Sequence, residues 1–238
     1  MSSLLVDLNN DGLADILYWR FDRHSEENEG QILLSDGTTS IQNWSRIDLP
    51  AGPFGFALNK YNHAATGDLD NDGYMDVVVS VTRGSPYYAA AYLQILINDG
   101  TGTLVDRTEQ LLPLQPKAEQ DHGEVNLYLR DLDSDGDLDI FHSTGNDSFD
   151  GYATLYPPQI ILNRLPDRLE IMEDLHKPPA MPLSGSGWGG NNPIPIKLVP
   201  INLDEEGCLD LISATTAWSW YDRTEYYLYT QINTVCEF

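Results

Sequence analysis

Four stretches of this chain repeat nearly the same nine residues, and each sets oxygen donors at alternate places. They read Asp7-Leu-Asn-Asn-Asp-Gly-Leu-Ala-Asp15, Asp68-Leu-Asp-Asn-Asp-Gly-Tyr-Met-Asp76, Asp131-Leu-Asp-Ser-Asp-Gly-Asp-Leu-Asp139 and Asn202-Leu-Asp-Glu-Glu-Gly-Cys-Leu-Asp210. Carboxylates or amides occupy the first, third, fifth and ninth places, leucine the second and glycine the sixth. Alternate oxygens in a tight turn are the donor set of a hard dication; calcium takes about six to eight oxygens at about 2.3–2.6 Å. The expected ligands are Asp7, Asn9, Asp11 and Asp15; Asp68, Asp70, Asp72 and Asp76; Asp131, Asp133, Asp135 and Asp139; and Asn202, Asp204, Glu206 and Asp210. The main-chain carbonyls of Leu13, Tyr74, Asp137 and Cys208 would add a seventh-place ligand, which leaves those side chains free to vary. Glycine at the sixth place allows the positive φ that turns the later ligands towards the ion.

Without a cation the carboxylates of each loop would crowd one small volume and repel. Single strings of this kind also occur as plain turns. Four in register argue for calcium in the first three loops. The fourth is the weakest match, with Asn202 at the first place and Glu206 at the fifth. These are not EF-hand loops, which need a bidentate glutamate at the twelfth place and flanking helices. Here Tyr18, Val79, His142 and Ser213 stand there.

The elements that must position the loops are strands. β-rich runs follow each loop at residues 16–19, 77–81, 140–141 and 211–212. A third strand comes later in each repeat, at 31–34, 93–97, 159–162 and 226–229. Asp36-Gly37 and Asp99-Gly100 then turn into fourth strands at 44–49 and 104–108; Asn/Asp-Gly between apolar runs is a strong hairpin signal. No helical period persists. The loops begin at residues 7, 68, 131 and 202, and a period of sixty to seventy residues means one supersecondary unit repeated. Four antiparallel strands per repeat is the pattern of a propeller blade. The fold class expected is all-β, one β-propeller domain over 1–238 with four-stranded antiparallel blades near 2–50, 51–115, 116–180 and 181–238.

These motifs resemble the FG-GAP/VCBS repeat family, the calcium-binding β-propellers that include the integrin alpha-chain head. Phe54-Gly55 stands for the family's Phe-Gly, residues 68–76 for its metal loop, and Gly84-Ser-Pro86 for its Gly-Ala-Pro. Residues 95–108 are similar to the outer-strand segment of bacterial VCBS repeats. Propellers of this family usually have seven or eight blades, so four repeats imply either a small closed ring or part of a larger propeller, completed by more sequence or by another copy.

Composition bounds the rest. The 238 residues are 41% hydrophobic, enough for a substantial core. No apolar run reaches the roughly 18 residues of a membrane span. The opening Met1-Ser-Ser-Leu-Leu-Val-Asp7 lacks a signal-peptide pattern and reads as a mature chain or a piece of a longer one. The net charge of −24 repels phosphate backbones, so nucleic acid is not an expected partner. Cys208 and Cys236 both lie in the last repeat, where a disulfide and two free thiols are equally open. Calcium sites point to an extracellular, cell-surface or periplasmic setting.

The rim opposite the loops gathers aromatic, Asp and Arg residues at one topological place. Trp19, Phe21 and Arg23 represent the first repeat, Tyr87 and Tyr88 the second, Phe149 and Tyr152 the third. Trp218, Trp220, Tyr221 and Arg223 represent the fourth, and Trp188 lies in a connection. Aromatics beside arginine make binding hot spots; the same rings can instead pack between blades. The function expected is a calcium-stabilised module for adhesion or recognition of a protein or glycan, without catalysis. Alternatives are the carbohydrate-binding or catalytic propeller of a polysaccharide-acting protein, with Trp188, Trp218, Trp220 and Tyr221 as a stacking platform, or a structural assembly subunit. Catalytic candidates are thin: His63, His122 and His142, with no HExxH or Gly-rich phosphate loop.

Overall fold

A computed structural model describes residues 2–19, 30–55, 57–84, 89–113, 125–144, 159–171, 193–201, 209–217 and 225–235. Each repeat forms one antiparallel sheet whose strands follow chain order. The first sheet comprises β1 (Ser2–Val6), β2 (Asp15–Trp19), β3 (Gly30–Leu34) and β4 (Ser45–Asp48), in that spatial order. The second comprises β5 (Asn59–Gly67), β6 (Asp76–Arg83), β7 (Ala89–Asn98) and β8 (Leu104–Asp106). The third comprises β9 (Val125–Arg130), β10 (Asp139–Thr144), β11 (Gln159–Arg164) and β12 (Arg168–Ile171). The fourth has three described strands, β13 (Pro193–Ile201), β14 (Leu209–Ala217) and β15 (Glu225–Val235). Among the described residues the protein is thus all-β, with three four-stranded antiparallel sheets, one of three strands, and almost no helix.

The chain divides into two compact units, Met1–Asp121 with Asn163–Glu170, and His122–Leu162 with Ile171–Phe238. In the first unit the alternation of β2 explains its burial. Asp15, Leu17 and Trp19 face inward while Ile16 and Tyr18 are half-buried, as a period of two demands. β6 is different: Asp76 through Thr82 are all buried, the pattern of a central strand covered on both faces. Leu17, Trp19 and Ile32 of the first sheet join Tyr61, Val77, Val79, Val81 and Leu96 of the second in one apolar cluster. Phe54, of the Phe-Gly pair, packs edge-on to Tyr92 at 6.4 Å between ring centres.

Gly30 packs tightly against Leu49 and Tyr61 of this cluster. A Cβ there would sit 2.6 Å from Leu49 Cδ1 and 2.9 Å from Tyr61 Cε2. Gly30→Ala is therefore expected to destabilise the chain by about 1–3 kcal/mol through overpacking. The check is the urea midpoint, which should fall with little change in slope.

Several strand boundaries differ from the sequence reading: β7, β10, β14 and β15 all run beyond the expected 93–97, 140–141, 211–212 and 226–229. The fourth strand of the second repeat stops at Asp106, not Thr108, and a single turn of helix, α1 (Thr108–Leu111), follows. Asp106 causes the stop: its Oδ1 accepts the Thr108 N–H at 2.9 Å and the Thr108 hydroxyl at 2.6 Å. In the first sheet a short 3₁₀ turn (Ile41–Asn43) precedes β4. The Asp-Gly turns form as the sequence implies, with Thr38 and Thr101 donating N–H and hydroxyl to Asp36 and Asp99. Those hydroxyl bonds hold both carboxyls below the ordinary aspartate range.

Candidate metal centre

The acidic loops join β1 to β2, β5 to β6 and β9 to β10, so each is the tip of a β-hairpin. All three fold alike, and the hydrogen bonds say why. The first-place aspartate accepts the glycine N–H: Gly12 to Asp7 Oδ2 at 2.9 Å, Gly73 to Asp68 Oδ2 at 2.9 Å, Gly136 to Asp131 Oδ2 at 3.1 Å. The fifth-place aspartate accepts from the seventh residue, at 2.8 Å for Leu13 and Tyr74 and 3.0 Å for Asp137. The third-place Asn9, Asp70 and Asp133 each accept the fifth-residue N–H at 3.2–3.3 Å. Gly12, Gly73 and Gly136 have φ of 84°, 91° and 98°, as expected for the sixth place.

A second left-handed residue precedes each glycine by two. Asn10, Asn71 and Ser134, at the fourth place, have φ of 54°, 58° and 62°. Asparagine tolerates this region better than most residues because its short side chain bonds locally. The sequence carried that signal in Asn10 and Asn71.

In the second loop, carboxylate oxygens of Asp68, Asp70 and Asp76 all lie within 4.8 Å of one another, and Asp131, Asp133 and Asp139 do the same in the third. First, third and ninth places therefore converge on one point. In the first loop Asn9 replaces the third-place carboxylate, and its Nδ2 donates to Asp11 Oδ2 at 3.0 Å. The convergence has an electrostatic cost. Burial, then the charges of Asp72 and Asp68, push the Asp70 carboxyl up. Burial pushes Asp76 up to about 6 against two backbone N–H bonds, with Asp70 and Asp72 adding to the rise. A dication among these oxygens would relieve both effects. The donor set is wholly oxygen, which suits calcium or magnesium and not a soft metal.

The ninth aspartate does more than the sequence reading assigned to it. Asp15, Asp76 and Asp139 are fully buried. Their Oδ2 atoms accept the N–H of the second-place leucine: Leu8 at 2.9 Å, Leu69 at 2.8 Å, Leu132 at 2.7 Å. Oδ1 of Asp15 accepts from Ser35 N–H and Oδ1 of Asp76 from Asn98 N–H, both at 2.8 Å. The Asp15 and Asp76 carboxylates thus tie their loops to the end of the third strand of their own sheets. The leucines Leu8, Leu69 and Leu132 are themselves buried anchors.

The remaining sequence candidates divide clearly. Trp19 is 5% exposed, lies in the apolar cluster, and donates its indole N–H to the Asn62 carbonyl at 3.3 Å, so it serves packing. His63 and His142 sit in β5 and β10. The fourth loop with Asn202, Asp204, Glu206 and Cys208, then Cys236 and His122, lie outside the described residues, as do Phe21, Arg23, Tyr87, Tyr88, Phe149, Tyr152, Trp188, Trp218, Trp220, Tyr221 and Arg223. Asp210 begins just inside β14.

Antiparallel sheets in chain order, three of them four-stranded and carrying an oxygen-lined acidic hairpin tip among the described residues, define a class of β-repeat protein. Residues 7–79 match the family model described as FG-GAP-like repeat, running from the first acid of the first loop into β6. This stretch is an FG-GAP repeat, as its motifs implied. No curated protein matches the chain. Among solved structures, it is similar to an Agrocybe aegerita lectin described by its specific recognition of non-reducing terminal N-acetylglucosamine, at 14% identity and a TM-score of 0.30. The similarity covers 98% of this chain and 66% of that one, so the chain spans under two thirds of the lectin's length.

Proposed function

We propose that the protein is a calcium-stabilised recognition module, its repeats acting as blades of a β-propeller and its hairpin tips each clasping one ion. The observation that carries this reading is the convergence of first-, third- and ninth-place carboxylate oxygens within 4.8 Å in two separate loops, on hydrogen-bond frameworks that match loop for loop. Asp7, Asn9, Asp11 and Asp15 would hold a third ion, and the 202–210 loop a weaker fourth. Bound there, calcium supplies charge neutralisation and cross-links; it does no chemistry on a substrate. The ion's role is structural, and the protein binds a protein or glycan rather than transforming it. Self-association to complete a larger ring, and an extracellular, cell-surface or periplasmic setting, belong to the same proposal.

Equilibrium dialysis against calcium tests it. At least three ions per chain are expected, falling by one in Asp72→Ala, whose side chain lies in the second loop alone. Binding of no calcium at millimolar concentration would end the reading. Glycan arrays and pull-downs run in calcium and in EGTA then distinguish a glycan from a protein partner.

A further inference from the structure

The two loops of the first unit are joined by a continuous line of buried hydrogen bonds, and one side chain closes it. Asp15 Oδ2 accepts the Leu8 N–H at 2.9 Å. The Leu8 carbonyl accepts from Asn98 Nδ2 at 2.7 Å. Asn98 in turn donates its own N–H to Asp76 Oδ1 at 2.8 Å, and Asp76 Oδ2 accepts the Leu69 N–H at 2.8 Å. The Leu69 carbonyl takes Asn163 Nδ2 at 2.7 Å. Asn98 also donates to the Met75 carbonyl at 3.0 Å, and Asn10 Nδ2 reaches the Gly73 carbonyl at 3.0 Å, so the two loops touch directly.

The arrangement repeats with the sheets. Leu96 pairs with Val77 and Ile161 with Ile140, each partner being the residue after a ninth-place aspartate. Asn98 and Asn163 stand two residues beyond those pairs, and each clasps the second-place leucine of the preceding repeat. In the first sheet Leu33 pairs with Ile16, and Ser35 occupies the same register.

We propose that Asn98 is a positioning residue that couples the first two cation sites: it fixes Leu8 of one loop and Asp76 of the next, so that an ion in either raises the affinity of the other. This rests on the calcium reading above and deepens it, since each site then belongs to two repeats. The physical reason is that a ninth-place carboxylate must hold its leucine N–H and face the ion at once. Ordering one loop fixes Leu8, Leu8 fixes Asn98, and Asn98 presents its N–H to the neighbouring carboxylate. Coupling of this kind is reciprocal. A buried network of satisfied bonds can carry it because its members are rigid together.

The test is terbium titration of the full chain, reading the emission sensitised by Tyr74 at the seventh place of the second loop, which is the component that Tyr74→Leu removes. Asp11→Ala empties the first loop. It is expected to weaken terbium binding at the second loop about tenfold, equivalent to about 1.4 kcal/mol of coupling. In an Asn98→Ser background, a residue the first sheet already accepts at that register, the same Asp11→Ala should change second-loop affinity less than twofold. Unchanged second-loop affinity in Asp11→Ala alone, or an equal loss in both backgrounds, would overturn the coupling and leave the cation reading standing. No sensitised emission from the unmodified chain would overturn both.

Discussion

Excess EGTA is expected to lower the thermal midpoint of the calcium-equilibrated chain by roughly 15 °C or more. Any ligand that binds only the folded state adds about 2.7 kcal/mol per site when present at a hundred times its dissociation constant. For a chain of this size one kcal/mol moves the midpoint by about 2–4 °C. Three occupied loops therefore predict a shift well beyond ionic-strength effects. The loss should be reversed by calcium and only partly by magnesium, which keeps its waters and fits a flexible oxygen cage poorly. A midpoint that ignores chelation would contradict a structural role for the ion. The measurement is a calorimetric scan in calcium and in EGTA at matched salt.

The second large effect separates two roles that one residue type plays in the same loop. Asp76→Ala should destabilise the protein by about 2–4 kcal/mol in EGTA as well as in calcium, because it orphans two buried backbone donors. Those donors are Leu69 N–H and Asn98 N–H, both 2.8 Å from its oxygens. Burial pushes its carboxyl up to about 6, so in EGTA the net cost is smaller than two full orphaned donors would give. Asp72→Ala is the contrast. It is exposed and its one backbone bond is to Tyr74 within the loop, so it should lower stability in calcium while changing little in EGTA. Chemical denaturation of both variants in both buffers gives the four values needed. Equal losses for both variants in EGTA would refute the anchoring role of the ninth aspartate.

The sequence announced its loops and its meander of strands because both rest on local chemistry. Glycine at the sixth place, alternate oxygens and Asp-Gly turns each act within a few residues, so periodicity displays them directly. The ninth aspartate was legible as a ligand but not as the tie between Leu69 and β7, since that contact spans 22 residues between Asp76 and Asn98. Asn98 and Asn163 each follow an apolar third strand; their side-chain bonds reach back 90 and 94 residues, which no local pattern can announce. Their shared place after Gln-Ile-Leu-Ile and Gln-Ile-Ile-Leu was the available clue. Trp19 was open between two roles: at the end of a strand an indole can cap a surface or fill a core, and only the neighbouring sheet decides. Here Asn62 takes its N–H and the apolar cluster takes its ring.

Crystals grown in calcium and measured for anomalous scattering test the central claim most directly. The account predicts a peak in each of the first three hairpin tips, ringed at about 2.3–2.6 Å by oxygens, with Asp68, Asp70 and Asp76 among the ligands of the second. Water alone in those tips, with the carboxylates splayed apart, would contradict it.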